Sequence, residues 1–370
     1  MKVLGIETSC DETAAAVVEN GKRLLSNVVR SSMDLHVAYG GVVPEIAARS
    51  HIESIMPVID QALREAKCTW DDIDAIAVTY GAGLGGSLLV GVLTARTLAI
   101  TKNKPLYACN HVEAHIYANF LTELGPHFQG PALKEYDLST RQPQFPMLGL
   151  IVSGGHSQLV IWHDHFDYTL LGQTLDDAIG EAFDKVAKIL GLPYPGGPSI
   201  GQKALEGDPL AYTFPKAKLR AKYDYSYSGV KTAVLRCAQK EIGEDHQFPS
   251  HKLADRLSDT QKANIAASFQ HIAVETVVDK TILAVEEFSP RSVVIGGGVA
   301  ASPELRRQLQ NRLQSAIGYD PIAEGVLQYQ DPKLMTDNGA MIATLGCFHM
   351  QKGQPAADPY TLDIQPNLSM

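Results

Sequence analysis

The feature that most constrains this chain is a near-repeat. VLGIETSCDETAAAVVENGKRLL from Val3 and LGLIVSGGHSQLVIWHDHFDYTLL from Leu148 share one layout, about 145 residues apart. Each passes from an apolar strand through a tight turn of small hydroxyl or glycine residues into a second apolar strand and a polar turn. Such runs joined by short turns are hairpin signals. Two of them predict a duplicated lobe, with the two turns facing each other across a cleft; chance likeness of two hairpins is the alternative. Strand-like runs at Val3 to Glu7, Ala75 to Thr79, Leu148 to Val152, Leu159 to His163 and Ser292 to Ile295 alternate with helical patterns. That is the grammar of an α/β protein.

With 370 residues, 45% of them hydrophobic, the chain suits two lobes rather than one core. We draw the lobes at residues 1–124, completed by 336–370, and at 125–335. A net charge of -9 argues against a nonspecific nucleic-acid coat or a membrane-surface protein. Cys10, Cys68, Cys109, Cys237 and Cys347 are scattered, with no CxxC, which disfavours a disulfide framework or a thiolate zinc site and fits a reducing cytosol. Met1 leads straight into a strand-like run with no signal-peptide pattern, and no long uncharged apolar stretch follows, so a soluble, cytoplasmic protein without a membrane partner is expected. The stretch from Gly125 to Pro146 reads as a long surface loop. The tail after Gly353, with three prolines and no period, is expected to lie along the surface or fray.

The strongest chemical signal is His111 and His115 in HVEAHIYANF. A helix turns about 100° per residue, so positions i and i+4 fall within roughly 40° and can share one metal ion. In the zincin protease pattern a glutamate directly follows the first histidine; here that place holds Val112, and Glu113 points about 200° around the helix. The base for metal-assisted peptide hydrolysis is therefore missing. Two half-buried polar residues on a packed helix remain the bland alternative.

Three glycine turns follow apolar strands: Gly81 to Gly86, Gly154 and Gly155, and Gly296 to Gly298. Backbone N–H groups converge at such turns and a following helix adds its positive end, which suits anions. Gly296 to Gly298 does not fit the spaced dinucleotide fingerprint, and no GxxxxGK[ST] loop occurs anywhere, so a Rossmann dehydrogenase and a P-loop ATPase are disfavoured. Asp177, Glu181 and Asp184 share one helical face, which suits a ribose, a cation or basic neighbours as well as plain solvation. From Lys216 to Lys240 seven basic residues stand against one acidic, with Tyr223, Tyr225 and Tyr227 interleaved. This suits nucleic-acid contact, while the alternation equally suits an aromatic core face.

In order and spacing, ETSCDETAAAVV, HVEAHIYANF, VSGGHSQL, DDAIGEAFDKVAKILGLPYPGGP, DYSYSGVKTA, VIGGGVAA and TDNGAMIA resemble bacterial members of the Kae1/TsaD family, from Met1 to about Gly346. The resemblance implies the two-lobed actin-like ATPase (ASKHA) fold, with duplicated ribonuclease-H-like domains around a central cleft. It also implies transfer of threonylcarbamoyl from threonylcarbamoyl-AMP to N6 of the adenosine 3′ of the anticodon, in tRNAs reading codons that begin with A. Carried over motif by motif, His111, His115 and Asp337 would hold one Fe²⁺ or Zn²⁺ per subunit. The adenylate would lie along Ile151, Val152, Ser153, Gly154 and Gly155, with Asp184 and Gly197 at its ribose and neighbouring groups. Ser302 stands where the family carries asparagine, and the loop from Gly125 to Pro146 is longer than the family's. Asp11 or Glu12, in the first turn, could take the amine proton or orient it, or simply cap that turn. Implied partners are tRNA, the shorter paralogue TsaB as heterodimer partner, the P-loop ATPase TsaE, and a TsaC-type synthase supplying the adenylate. Rival readings are a metal-dependent glycoprotein endopeptidase, an actin-superfamily kinase and a nucleotide-gated scaffold.

Overall fold

A computed structural model of the chain describes residues 1–126 and 136–370. Packing divides it into two compact units, Met1–Pro143 with Tyr329–Met370, and Gln144–Gln328. The stretch from Gly125 to Pro146 read as a long loop lies partly outside the described residues.

The first unit opens with β1 (Lys2–Glu7), β2 (Glu12–Glu19) and β3 (Arg23–Ser31), then α1 (Met33–His36) and α2 (Pro44–Glu65). There follow β4 (Ala75–Gly81), α3 (Gly85–Lys102), β5 (Leu106–Asn110), α4 (His111–Tyr117) and β6 (Glu123–Leu124). The sheet order is β5-β4-β1-β2-β3-β6, with β2 antiparallel to β1 and to β3, and β4 parallel to β1.

The second unit contains β7 (Met147–Val152), β8 (Ser157–Asp164), β9 (Asp167–Gln173), α5 (Ile179–Leu190), α6 (Gly196–Ala204), α7 (Ser228–Glu241) and α8 (Asp259–Phe288). It finishes with β10 (Ser292–Gly296), α9 (Pro303–Ile317) and β11 (Leu327–Gln328). Its order is β11-β10-β7-β8-β9, and again the first hairpin is antiparallel while β10 runs parallel to β7. Apart from β6, which has no counterpart in the second sheet, the strands of the two sheets correspond in order and direction. The near-repeat therefore marks a duplicated α/β architecture.

The chain then returns to the first unit as α10 (Pro332–Met335) and α11 (Gly339–Gln351). Because side chains alternate along a strand, β1 sends Leu4 and Ile6 into a core built with Ile55, Val58 and Ile59 of α2 and Val92 of α3. Its other face carries Val3 and Gly5, and α11 packs there. The approach is close: a Cβ on Gly5 would overlap the backbone of Ala343 and Gly339, one on Gly339 would overlap Ala15, and one on Gly346 would overlap Ala77. Glycines on strand and helix let backbone meet backbone, and no larger residue fits.

Beyond α11 the tail neither frays nor forms a helix or strand. Ala357 N–H donates to Leu106 O (2.7 Å) and Gln365 N–H to Tyr80 O (2.7 Å), while Leu362 and Ile364 rest on the α2–α3 core. His349 of α11 stacks on Tyr107 at 6.1 Å, and burial pushes its pKa down to about 4.

Gly339→Ala should destabilise the protein by about 1–3 kcal/mol, as overpacking does, read as a lower urea midpoint at unchanged slope. His349 is neutral when folded and gains a proton more readily when unfolded, so its contribution to stability declines as pH falls from about 6.5 toward 4. His349→Gln should remove that component, at most about 3 kcal/mol. The check is the difference between the two proteins in urea unfolding free energy at pH 7 and pH 4.5.

Candidate functional site

The paired histidines sit where β5 turns into α4. Asn110 caps that helix, its Oδ1 accepting from Val112 N–H (2.9 Å), and so sets the register that puts His111 and His115 on one side. Their rings are 4.7 Å apart. Asp337 arrives from the α10–α11 junction. Its neighbour Asn338, fully buried, accepts from Met341 N–H (3.0 Å) and donates to Leu334 O (3.1 Å) and Thr336 O (2.7 Å), which fixes the turn carrying Asp337. Asp337 Oδ1 lies 3.5 Å from both His111 Nε2 and His115 Nε2, and one donor atom from each of the three residues lies within 4.8 Å of the others.

Donor atoms that share a metal at bond lengths of about 2.0–2.2 Å stand roughly 3.4 Å apart in tetrahedral geometry, so the three residues fit one ion. Their surroundings fit it as well. Glu7, fully buried at the end of β1, receives His111 Nδ1 at 3.1 Å, Thr79 Oγ1 at 2.5 Å and the N–H of Ser9. Ser9 Oγ is also 3.1 Å from His111 Nδ1. A carboxylate behind the imidazole holds the proton on Nδ1 and turns the Nε2 lone pair outward, the usual support of a metal-bound histidine.

Burial opposes protonation of His111, yet the charges of Asp337 and Glu7 and the Glu7 hydrogen bond outweigh it and push its pKa up to about 9. For Glu7, burial is overcome by His111 and by the hydrogen bonds it accepts, and its pKa stays below the ordinary value. Burial lifts Asp337 to about 6 against the pull of His111. Asp11 is buried with an unpartnered Oδ2, and Glu12 is pushed up to about 9 by burial and by the charges of Asp337 and Asp11. Four carboxyl groups around two imidazoles favour a cation. Two nitrogens and an oxygen suit iron or zinc. Glu113 is buried, lifted to about 7 by that burial, and bears on Tyr80 and Cys109 of β4 and β5.

The expected nucleotide residues lie in the second unit. Ile151 and Val152 end β7 inside the core, and Ser153, Gly154 and Gly155 form the turn into β8. Open space lies where a Cβ on Gly154, Gly155 or Gly197 would go. Other glycines do the opposite: a Cβ on Gly180 would lie 2.6 Å from Ser153 O and one on Gly196 2.5 Å from Asp184 Cα, while Gly297, at φ +93°, presses on Val152. These close contacts draw three turns together beside the open glycines.

Asp184 accepts from Gly196 N–H (2.6 Å), so it ties α5 to α6. Burial raises its pKa against that hydrogen bond. Ser302 is the N-cap of α9, accepting from Leu305 N–H at 3.5 Å.

Several readings left open by the sequence resolve here. The N–H groups opening α5 are taken up by Ser157 Oγ, Ser153 O and Gly154 O, so its positive end is satisfied within the protein. The Gly81 to Gly86 turn makes room for the tail, since a Cβ on Gly81 would overlap Gln365 O. Tyr223, Tyr225 and Tyr227 are buried and so are core residues rather than stacking platforms for bases. Asp177 and Glu181 meet basic neighbours: Lys185 bridges both, at 2.5 and 2.6 Å, and Lys231 reaches Asp177 at 2.9 Å.

Glu7 and Asn338 were not singled out by sequence reasoning. Each acts through a residue distant in sequence or through its own turn, and nothing in local spacing marks it. Glu7→Gln should weaken Zn²⁺ binding about 10–100-fold, measured by competition with a chromophoric chelator; an unchanged affinity would refute the supporting role of Glu7.

Comparison with known proteins adds identity to this geometry. The chain is 45% identical over 377 residues to the tRNA N6-adenosine threonylcarbamoyltransferase of Thermomicrobium roseum, covering 100% of this chain and 97% of that protein. It is 46% identical over 354 residues to the protein of the same name from Symbiobacterium thermophilum, covering 95% and 92%. Among solved structures, HypF from T. kodakarensis matches with a TM-score of 0.57 at 13% identity, over 95% of this chain and 48% of that one, a likeness of fold alone. The fold is that of the actin-like ATPases. Residues 23–344 match the TsaD family model, described as tRNA N6-adenosine threonylcarbamoyltransferase, and with relatives this similar over nearly their full length the chain belongs to that family.

Proposed function

We propose that this chain moves the threonylcarbamoyl group of threonylcarbamoyl-AMP onto N6 of the adenosine 3′ of the anticodon in tRNAs reading codons that begin with A. The observation that carries the reading to particular residues is the convergence of His111, His115 and Asp337, backed by Glu7. Family membership sets aside the endopeptidase and kinase alternatives.

In this reading His111, His115 and Asp337 hold one iron or zinc ion. When bound, the ion supplies Lewis acidity and a grip on oxygens of the acyl group. Glu7 keeps the proton on His111 Nδ1. Asp11, whose Oδ2 has no partner, accepts the proton of the exocyclic amine as the N6–carbon bond forms and the carbon–oxygen bond to AMP breaks. Glu12, beside Asp11 in the same turn, orients the exocyclic amine. Ile151, Val152, Ser153, Gly154 and Gly155 seat the adenylate, Asp184 and Gly197 meet its ribose side, and Ser302 supports that seat as the cap of α9.

The shorter paralogue TsaB serves as heterodimer partner, the P-loop ATPase TsaE renews activity after turnover, and a TsaC-type synthase supplies the adenylate. No helix among the described residues is long and apolar enough to cross a membrane, and a cytoplasmic location suits a tRNA-modifying enzyme.

The test combines this chain, those three helpers, threonine, bicarbonate, ATP and unmodified tRNA, followed by mass spectrometry of the digested nucleosides. Adenosine should gain the threonylcarbamoyl mass. Asp11→Ala should abolish transfer with metal content unchanged, and Asp337→Asn should lose both. Unmodified adenosine with every helper active would overturn the function, and full activity of Asp11→Ala would remove Asp11 from the chemistry.

A further inference from the structure

The segment after α11 is bound to the first unit at several points. Arg96 of α3 anchors it with a single guanidinium that donates to Pro359 O (2.6 Å), Tyr360 O (2.6 Å) and Leu362 O (3.1 Å). Leu362 and Ile364 then seat on the core, and Gln365 N–H donates to Tyr80 O.

Past that anchor the segment makes two contacts that lead to His111 by separate routes. Pro366 O accepts from Gly83 N–H (3.1 Å); the next residue, Leu84, donates to Ser9 O (2.8 Å), and Ser9 Oγ meets His111 Nδ1. Ser369 O accepts from Asn110 Nδ2 (3.2 Å), and Asn110 Oδ1 caps the helix that carries both histidines. Gly83 presses on Ser9, where its Cβ would lie 2.6 Å from Ser9 O, so the turn held by Pro366 and the residue supporting the imidazole move as one. One of these carbonyls holds Asn110 directly, and the other holds Gly83, which packs on Ser9; Ser9 and Asn110 in turn bear on the placement of His111.

We propose that residues 357–369 form a strap that positions His111 for metal binding, with Arg96 as its anchor and Pro366 O and Ser369 O as its positioning groups. The proposal rests on the reading of His111, His115 and Asp337 as the metal ligands. Neither strap carbonyl touches the ion or the substrate. Each acts through a residue that fixes the imidazole, so releasing the strap leaves the donor set intact but loosely held.

The experiment uses metal-stripped protein in three forms: the full chain, the full chain with Arg96→Ala, and a chain ending at Ile364. Each is titrated with Zn²⁺ against a chromophoric chelator, while hydrogen exchange follows the β1–β2 hairpin and the Gly83 N–H. Both altered forms should bind Zn²⁺ at least about 10-fold more weakly, with the hairpin still protected and Gly83 exposed. The shortened chain keeps Leu362 and Ile364 in place, so it decides the matter if Arg96→Ala loses the hairpin. Unchanged Zn²⁺ affinity with Gly83 exposed overturns the strap and leaves the metal reading standing. Failure of the unaltered full chain to bind Zn²⁺ overturns the metal reading itself, and the strap with it.

Discussion

Backbone-to-backbone packing of α11 on the first sheet is the contact on which the proposed chemistry depends. Gly5 and Gly339 admit no side chain, and Gly346 sits directly over Ala77, so the helix is held closer to the sheet than ordinary side-chain packing allows. Asp337 lies two residues before that helix begins, on a turn locked by buried Asn338. The position of the Asp337 carboxylate is therefore set in part by the fit of glycines. A small shift of the helix would carry Asp337 away from both imidazoles.

Electrostatics reinforces this arrangement. Glu7, Asp11, Glu12 and Asp337 are gathered in surroundings that penalise charge, and the shifts of His111 and Glu12 to about 9 show the group drawing positive charge or protons inward. A buried cluster of this kind is costly unless something neutralises it. A divalent cation does so while allowing the carboxylates that bind or orient it to remain ionised. Structure and chemistry thus ask for the same occupant.

Much of this was legible in the sequence, for reasons tied to local spacing. The helical interval between His111 and His115 survives any context in which a helix forms, and the duplicated hairpins appear as runs of apolar residues around small-residue turns. What stayed hidden depends on partners far along the chain. Glu7 reads as an ordinary strand end, yet its value comes from a histidine 104 residues away. Tyr223, Tyr225 and Tyr227 alternate in a way that serves a buried face or a base-stacking face equally well, and only burial separates the two. The glycines after β4 look like an anion loop because glycine marks any close approach, and here what approaches is the chain's own tail.

The order in which the chain runs through its two units has a biosynthetic consequence. The second unit is inserted within the first, which is completed only when Tyr329 to Met370 return to it. During synthesis, β1 to β5 and the histidine pair that follows emerge early with one face of the sheet uncovered, while Asp337 is still to be made. The inserted unit has all of its strands and can fold in the interval, since domains generally fold as units as they emerge. Assembly of the His111, His115 and Asp337 group is thereby postponed until the late helix has been made.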